Sequence, residues 1–173
     1  YILTQKLQKD DEIIISYLEH HSNIVPWQML CERTGAKLRV IPIDENGILQ
    51  LDYLDQFLSE KTKVVSVNQV SNALGIVNPI EEIIAKTRKN SDAYIVIDGA
   101  QSAPHFNIDV QKMDCDFFVF SGHKMYAPMG TGILYGKREI LEALPPFHGG
   151  GEMIATCSFD GTTYAGLPFK YEA

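Results

Sequence analysis

The residues of this 173-residue chain best suited to chemistry lie at the ends of two apolar runs. Asp116-Phe117-Phe118-Val119-Phe120 gives out into Ser121-Gly122-His123-Lys124, and Tyr94-Ile95-Val96-Ile97 stops at Asp98-Gly99-Ala100-Gln101. If the two runs are strands of one parallel sheet, an amine, an acid and an amide meet over a single edge. A lysine can hold an aldehyde as a Schiff base. An aspartate beside a ring nitrogen keeps that nitrogen protonated, so that the ring accepts electrons from a carbanion. Lys124 and Asp98 therefore point to pyridoxal 5'-phosphate as cofactor.

Two further strand ends carry polar groups: Glu19-His20-His21 after the first apolar run, and Asn72 in Val70-Ser71-Asn72-Ala73-Leu74-Gly75 after the third. Each candidate has a plainer reading. Lys124 could be a surface lysine, Asp98 a metal ligand or a helix cap, the histidines loop residues, and Asn72 a turn residue. A metal is not expected, because no companion carboxylates or histidines sit at a ligand spacing. Lys124 follows a buried-looking strand and precedes Gly130 and Gly132, which permit close backbone approach to a ligand. Partial desolvation there would loosen the lysine's hold on its proton, as an imine-forming amine requires. Gly149-Gly150-Gly151 has neither the lysine of a P-loop nor the strand-to-helix setting of a dinucleotide fingerprint.

Alternating elements must position these groups. Glu12–Ser16 is a β-branched run; Pro26–Thr34 is a helix with proline in its first turn and Gly35 at its stop; Lys37–Ile43 alternates as a strand. Asn46-Gly47 marks a turn before a helix over Leu51–Leu58, and Lys63–Val67 is a third strand. Pro79 opens a helix with Glu81 and Glu82 in its first turn and Ile83, Ile84 and Thr87 on one face. Thr131–Gly136 is a further strand and Lys137–Leu144 a helix, while Gly149–Gly151 and Ser158–Tyr164 read as mobile loop. The order predicts an α/β fold: a mostly parallel sheet with helices on both faces, its ligands at the carboxyl ends of the strands. One domain with one core is expected.

Bulk properties exclude several functions. A net charge of −7 and a pI near 5.2 leave no basic face for nucleic acid, and the densest basic tract, Lys86-Thr87-Arg88-Lys89, is expected to complement a helix C-terminus. No apolar stretch approaches a membrane span and no signal-peptide order opens the chain, so a cytoplasmic protein without membrane partners is expected. Cys31, Cys115 and Cys157 have neither metal-site spacing nor disulfide density.

Glu19–Trp27, Asp98–Gln101 and Ser121–Tyr135 together resemble the class V aminotransferase family of pyridoxal-phosphate enzymes, and within it the group II (SufS-type) cysteine desulfurases. The double histidine followed by Asn23 and Pro26-Trp27 carries the narrower likeness. The resemblance implies the large domain of the fold type I transferases. It implies that Lys124 forms the Schiff base and later moves protons, that Asp98 pairs with the pyridinium nitrogen, and that His20 stacks on the ring and helps proton transfer. Gln101 would bond the phenolic oxygen, Ser121 and His123 the phosphate, and Asn72 would lie near the substrate carboxylate. The implied reaction takes sulfur from L-cysteine to leave alanine and an enzyme persulfide, which a sulfur-acceptor protein carries to iron–sulfur cluster assembly.

This chain departs from the family in length. It is expected to be the central part of the large domain over residues 1–173, without the N-terminal phosphate-binding turn, the C-terminal small domain, the substrate-gripping arginine and the loop bearing the nucleophilic cysteine. None of its three cysteines has the expected context, so turnover by this chain alone is not expected, and a homodimer is expected only of the longer protein. Smaller departures are Ser22 where alanine is usual and Ala127 where glycine is usual. The alternatives are a selenocysteine lyase, an epimerase or deaminase of the same family, and a shortened non-catalytic binding module.

Overall fold

A computed structural model describes residues 2–172, which fall into two compact units. The larger, Leu7–Tyr135, is built on strands β1 (Glu12–Ser16), β2 (Lys37–Ile41), β3 (Thr62–Asn68), β4 (Tyr94–Asp98), β5 (Phe117–Ser121) and β6 (Gly132–Gly136). They form one six-stranded sheet in the order β2-β1-β3-β4-β5-β6, and the ladders β1–β2, β1–β3, β3–β4 and β4–β5 are parallel. Helices α1 (Val25–Thr34), α2 (Leu51–Phe57), α3 (Ile80–Asn90) and α4 (Val110–Met113) lie in its connections. The order β-α-β read from the sequence is therefore the order found. Among the described residues no helix is long and apolar enough to cross a membrane.

Side chains alternate across the sheet, so each strand supplies both faces. One face buries Ile14, Val65, Val67, Ile95, Ile97 and Phe118 against Leu54 of α2 and Ile80, Ile83 and Ile84 of α3. On the other, Ile13, Ile15 and Val64 are buried, and Ser66 donates to Asn23 Oδ1 (2.6 Å), the oxygen that also accepts from Trp27 Nε1 of α1 (2.9 Å). Two-faced burial explains why the strands read as continuous Ile/Val runs.

The local signals act as expected at several termini. Gly35 ends α1 at φ 77°, Gly47 turns at φ 81°, and Glu81 and Glu82 fall in the first turn of α3. The basic tract does more than complement a dipole. Arg88 and Lys89 occupy the last turn of α3, but Lys86 Nζ donates to Asp55 Oδ2 of α2 (2.7 Å) and Arg88 Nη2 to Asp116 Oδ1 (2.6 Å). The other carboxylate oxygen of buried Asp116 accepts the Ile95 N–H (2.7 Å), tying the start of β5 to the start of β4.

In the smaller unit, α5 (Arg138–Ala143) ends on carbonyls that accept from Lys170 Nζ and the Tyr171 hydroxyl, at 2.8 Å from Glu142 O and 2.8 Å from Leu141 O. The stretch read as mobile loop is instead a turn and an antiparallel hairpin, β7 (Ile154–Ser158) with β8 (Gly161–Tyr164). Its strands face each other through the Thr156 and Thr163 hydroxyls, 2.5 Å apart, so pairing is polar and leaves no hydrophobic alternation to read.

One glycine of the sheet edge is fixed by packing. A β-carbon on Gly99 would stand 2.0 Å from Cζ of Phe118, whose ring is in the core. Gly99→Ala should lower stability by about 1–3 kcal/mol, the usual cost of overpacking, seen as a lower urea midpoint with an unchanged slope.

Candidate active site

The parallel ladders bring the carboxyl ends of β1 to β5 to one edge, and the register aligns particular residues there. Asn68 of β3 pairs with Asp98 of β4, and Asp98 with Val119 of β5, two residues before Ser121. The Gly99 N–H donates to the Val119 carbonyl (2.8 Å) and the Ala100 N–H to Asp98 Oδ1 (2.8 Å), so the turn after β4 is held at both ends. After Ser121 the chain makes a single 3-10 turn, Gly122–Met125, that carries His123 and Lys124. Gly122 is confined, because a β-carbon there would meet Thr131 Oγ1 at 2.3 Å.

A cavity of about 280 Å³ opens on this edge, lined by His20, Ser22, Asn68, Val70, Asn72, Asp98, Ala100, Gln101, Ser121, His123 and Lys124. All seven residues singled out in the sequence (His20, Asn72, Asp98, Gln101, Ser121, His123 and Lys124) line it. A neighbouring cavity of about 350 Å³ shares Ser22, Asp98, Ala100 and Ser121 and runs to Ile133 and Leu134. A larger one, about 510 Å³ between Gln69 and Met113, contains none of the seven, so size alone does not mark the site.

The sequence reading missed Ser22, Asn68 and the support beneath them. Asn68 fell outside a strand read to end at Val67, although it holds the same terminal place on β3 that Asp98 holds on β4. Under it lies a buried polar net. Glu19 accepts from the Ser16 hydroxyl, from Asn23 Nδ2 (2.7 Å) and from the Asn68 N–H (3.0 Å); Asn78 Nδ2 donates to Asn68 Oδ1 (2.6 Å). The signal available was a glutamate at a strand exit, four residues before an asparagine.

The donor set fits pyridoxal phosphate by its chemistry. One amine can meet an aldehyde, one carboxylate a protonated ring nitrogen, a hydroxyl and an imidazole can meet a phosphate, and amides can meet a phenolic oxygen and a carboxylate. Cys31 is half-buried with its thiol pushed up by burial, Cys115 is buried and Cys157 is exposed on β7; none lines the cavity.

The aminotransferase class-V family model matches residues 1–173. A cysteine desulfurase of Enterobacter sp. (strain 638) is 57% identical over 164 residues, covering 94% of this chain and 40% of the relative. The crystal structure of the cysteine desulfurase CsdA from Escherichia coli superposes with a TM-score of 0.95 at 41% identity, over 99% of this chain and 43% of that one. A C-DES structure with glycine covalently linked to the PLP cofactor superposes at 0.83 and 27% identity, over 99% of this chain and 47% of that one. The chain thus spans about two fifths of the length of the curated relative.

Glu19 gives the site a pH-dependent foundation. Burial pushes its carboxyl up from 4.5 to about 7, outweighing the hydrogen bonds from Ser16, Asn23 and Asn68, and the Asp98 charge adds a smaller push. The folded chain therefore keeps this proton where the unfolded chain has released it. Stability from this group is full below the ordinary carboxyl value and is lost as pH rises through about 7. Between pH 5 and pH 8 it should fall by about 2 kcal/mol, and Glu19→Gln should remove that part of the slope in urea unfolding at the two pH values.

Proposed function

The chain belongs to the aminotransferase class-V family, and on that premise we propose that it is the central, cofactor-binding part, over residues 1–173, of the large domain of a pyridoxal-phosphate-dependent cysteine desulfurase. The observation that carries this reading is the meeting of His20, Asn72, Asp98, Gln101, Ser121, His123 and Lys124 from four strand ends around one cavity. The finer assignment to the group II, SufS-type enzymes draws on Glu19–Trp27, whose Asn23 bridges Glu19, Ser66 and Trp27. With that assignment go a sulfur-acceptor protein of iron–sulfur cluster assembly, a cytoplasmic setting and a homodimer of the longer protein.

When bound, the cofactor supplies an aldehyde for the substrate amine and a protonated ring that takes up electrons from the bond being broken. The remaining work belongs to side chains. Lys124 Nζ would hold the aldehyde and, when free, would take and return protons. The Asp98 carboxylate would pair with the ring nitrogen and keep its proton in place, while its Oδ1 accepts the Ala100 N–H. Ser121 and His123 would bind the phosphate, Gln101 would bond the phenolic oxygen, and Asn72 would lie near the substrate carboxylate. His20 would stack on the ring and assist proton transfer. None of the three cysteines lines the cavity, so in this reading none of them is the accepting thiolate.

Mixing the chain with pyridoxal phosphate should give the visible absorbance of a lysine imine, lost in Lys124→Ala. An equal band in the mutant would remove Lys124 as anchor, and no band in the wild type would favour a non-catalytic binding module. Asp98→Asn should weaken cofactor affinity about tenfold, since an amide replaces a charge-assisted bond, measured by fluorescence titration; unchanged affinity would count against the ring-nitrogen role.

A further inference from the structure

His20 is held by its own turn in a way that decides which of its nitrogens carries hydrogen. It caps the 3-10 turn His21–Asn23 from an extended backbone (φ −71°, ψ 152°), and its side chain accepts the Ser22 backbone N–H, with Ser22 N 3.2 Å from Nδ1. The Ser22 hydroxyl oxygen lies 2.9 Å from the same Nδ1. A backbone N–H can only donate, so the nitrogen facing it must present a lone pair. The hydroxyl can turn either way and, with Nδ1 as acceptor, it donates as well. A neutral imidazole carries one hydrogen, and with Nδ1 committed that hydrogen sits on Nε2.

We propose that the His20–Ser22 turn holds His20 as its Nε2–H tautomer, with Ser22 as the positioning residue that sets it, so that the ring nitrogen left for an occupant of the cavity is a hydrogen-bond donor. The other groups sharing that space divide the work accordingly. Lys124 and Asp98 line the same cavity, with His123, Gln101 and Asn68 beside them; the His21 ring is centred 5.7 Å from the His20 ring and tilted by 48°. A nitrogen that already bears hydrogen has no lone pair with which to take a proton. In the proposed reaction the proton-accepting step therefore falls to Lys124 Nζ, and His20 assists by hydrogen-bonding an acceptor atom of the occupant. That use rests on the cofactor-site reading above, whereas the tautomer itself does not.

Two-bond proton–nitrogen correlation spectra of the full chain, labelled with nitrogen-15 histidine and free of cofactor, read the tautomer directly. His20 is assigned by the signal lost in His20→Gln. The expected pattern has a protonated Nε2 and a bare Nδ1. Ser22→Ala removes one of two donors to Nδ1 and should move the tautomer ratio about fivefold toward Nδ1–H, while Ser22→Thr, which keeps the hydroxyl, should restore it. A wild-type Nδ1–H pattern would overturn the proposal, and an unchanged ratio in Ser22→Ala would overturn the role of Ser22. Because these spectra need no pyridoxal phosphate, their failure is distinct from loss of the imine band, which would strike the cofactor-site reading instead.

Discussion

The carboxyl of Glu19 is the group on which the rest of the candidate site is mounted. It leaves β1, reaches the backbone of β3 at Asn68, and is held from the side by Asn23. The neighbours continue the net: the Asn68 side-chain amide donates to the Leu18 carbonyl, and Asn78 donates to both the carbonyl and the side-chain oxygen of Asn68. A buried polar net of this kind is costly if half made and rigid if complete. Here it fixes where the chain turns after β1 and after β3, and with those turns the positions of His20 and Asn68 on the cavity wall.

The other half of the site is mounted on backbone. The ladder between β4 and β5 ends on Asp98 and Val119, the bond from Gly99 to Val119 extends it by one step, and Ser121 to Lys124 follow at once. At the opposite end of the same strands, Asp116 accepts from Ile95 and Arg88. A carboxylate that receives both a backbone N–H and a guanidinium sets the register of β5 against β4. Register in turn decides which residues of the two strands face the cavity, since a one-residue slip would turn every side chain over.

Much of this was legible in the chain itself. The apolar runs gave the strands because both faces are buried, and residues at their carboxyl ends gave the cavity because parallel strands end together. Lys124 and Asp98 were readable as a pair for that reason alone. Glu19 was only half legible: its spacing to Asn23 is local, but its contact with Asn68, 49 positions away, has no local signal. Asn68 was missed by a boundary error of one residue. The β7–β8 hairpin was missed because its strands are joined through threonine hydroxyls, a pairing that leaves composition looking like loop. Its separation with α5 into a second unit was hidden for the same reason: a small unit held by Lys170 and Tyr171 on helix-end carbonyls shows little apolar periodicity.

The Phe118 ring fills the room beside Gly99 from the core side, and that has an evolutionary consequence. Any β-carbon at position 99 is costly while an aromatic stands at 118. Drift in the lining next to Asp98 is then left to Ala100 and Gln101, which both line the cavity. A lineage that altered position 99 would have to trim position 118 in step, so the two sites should vary as a couple across descendants of this fold.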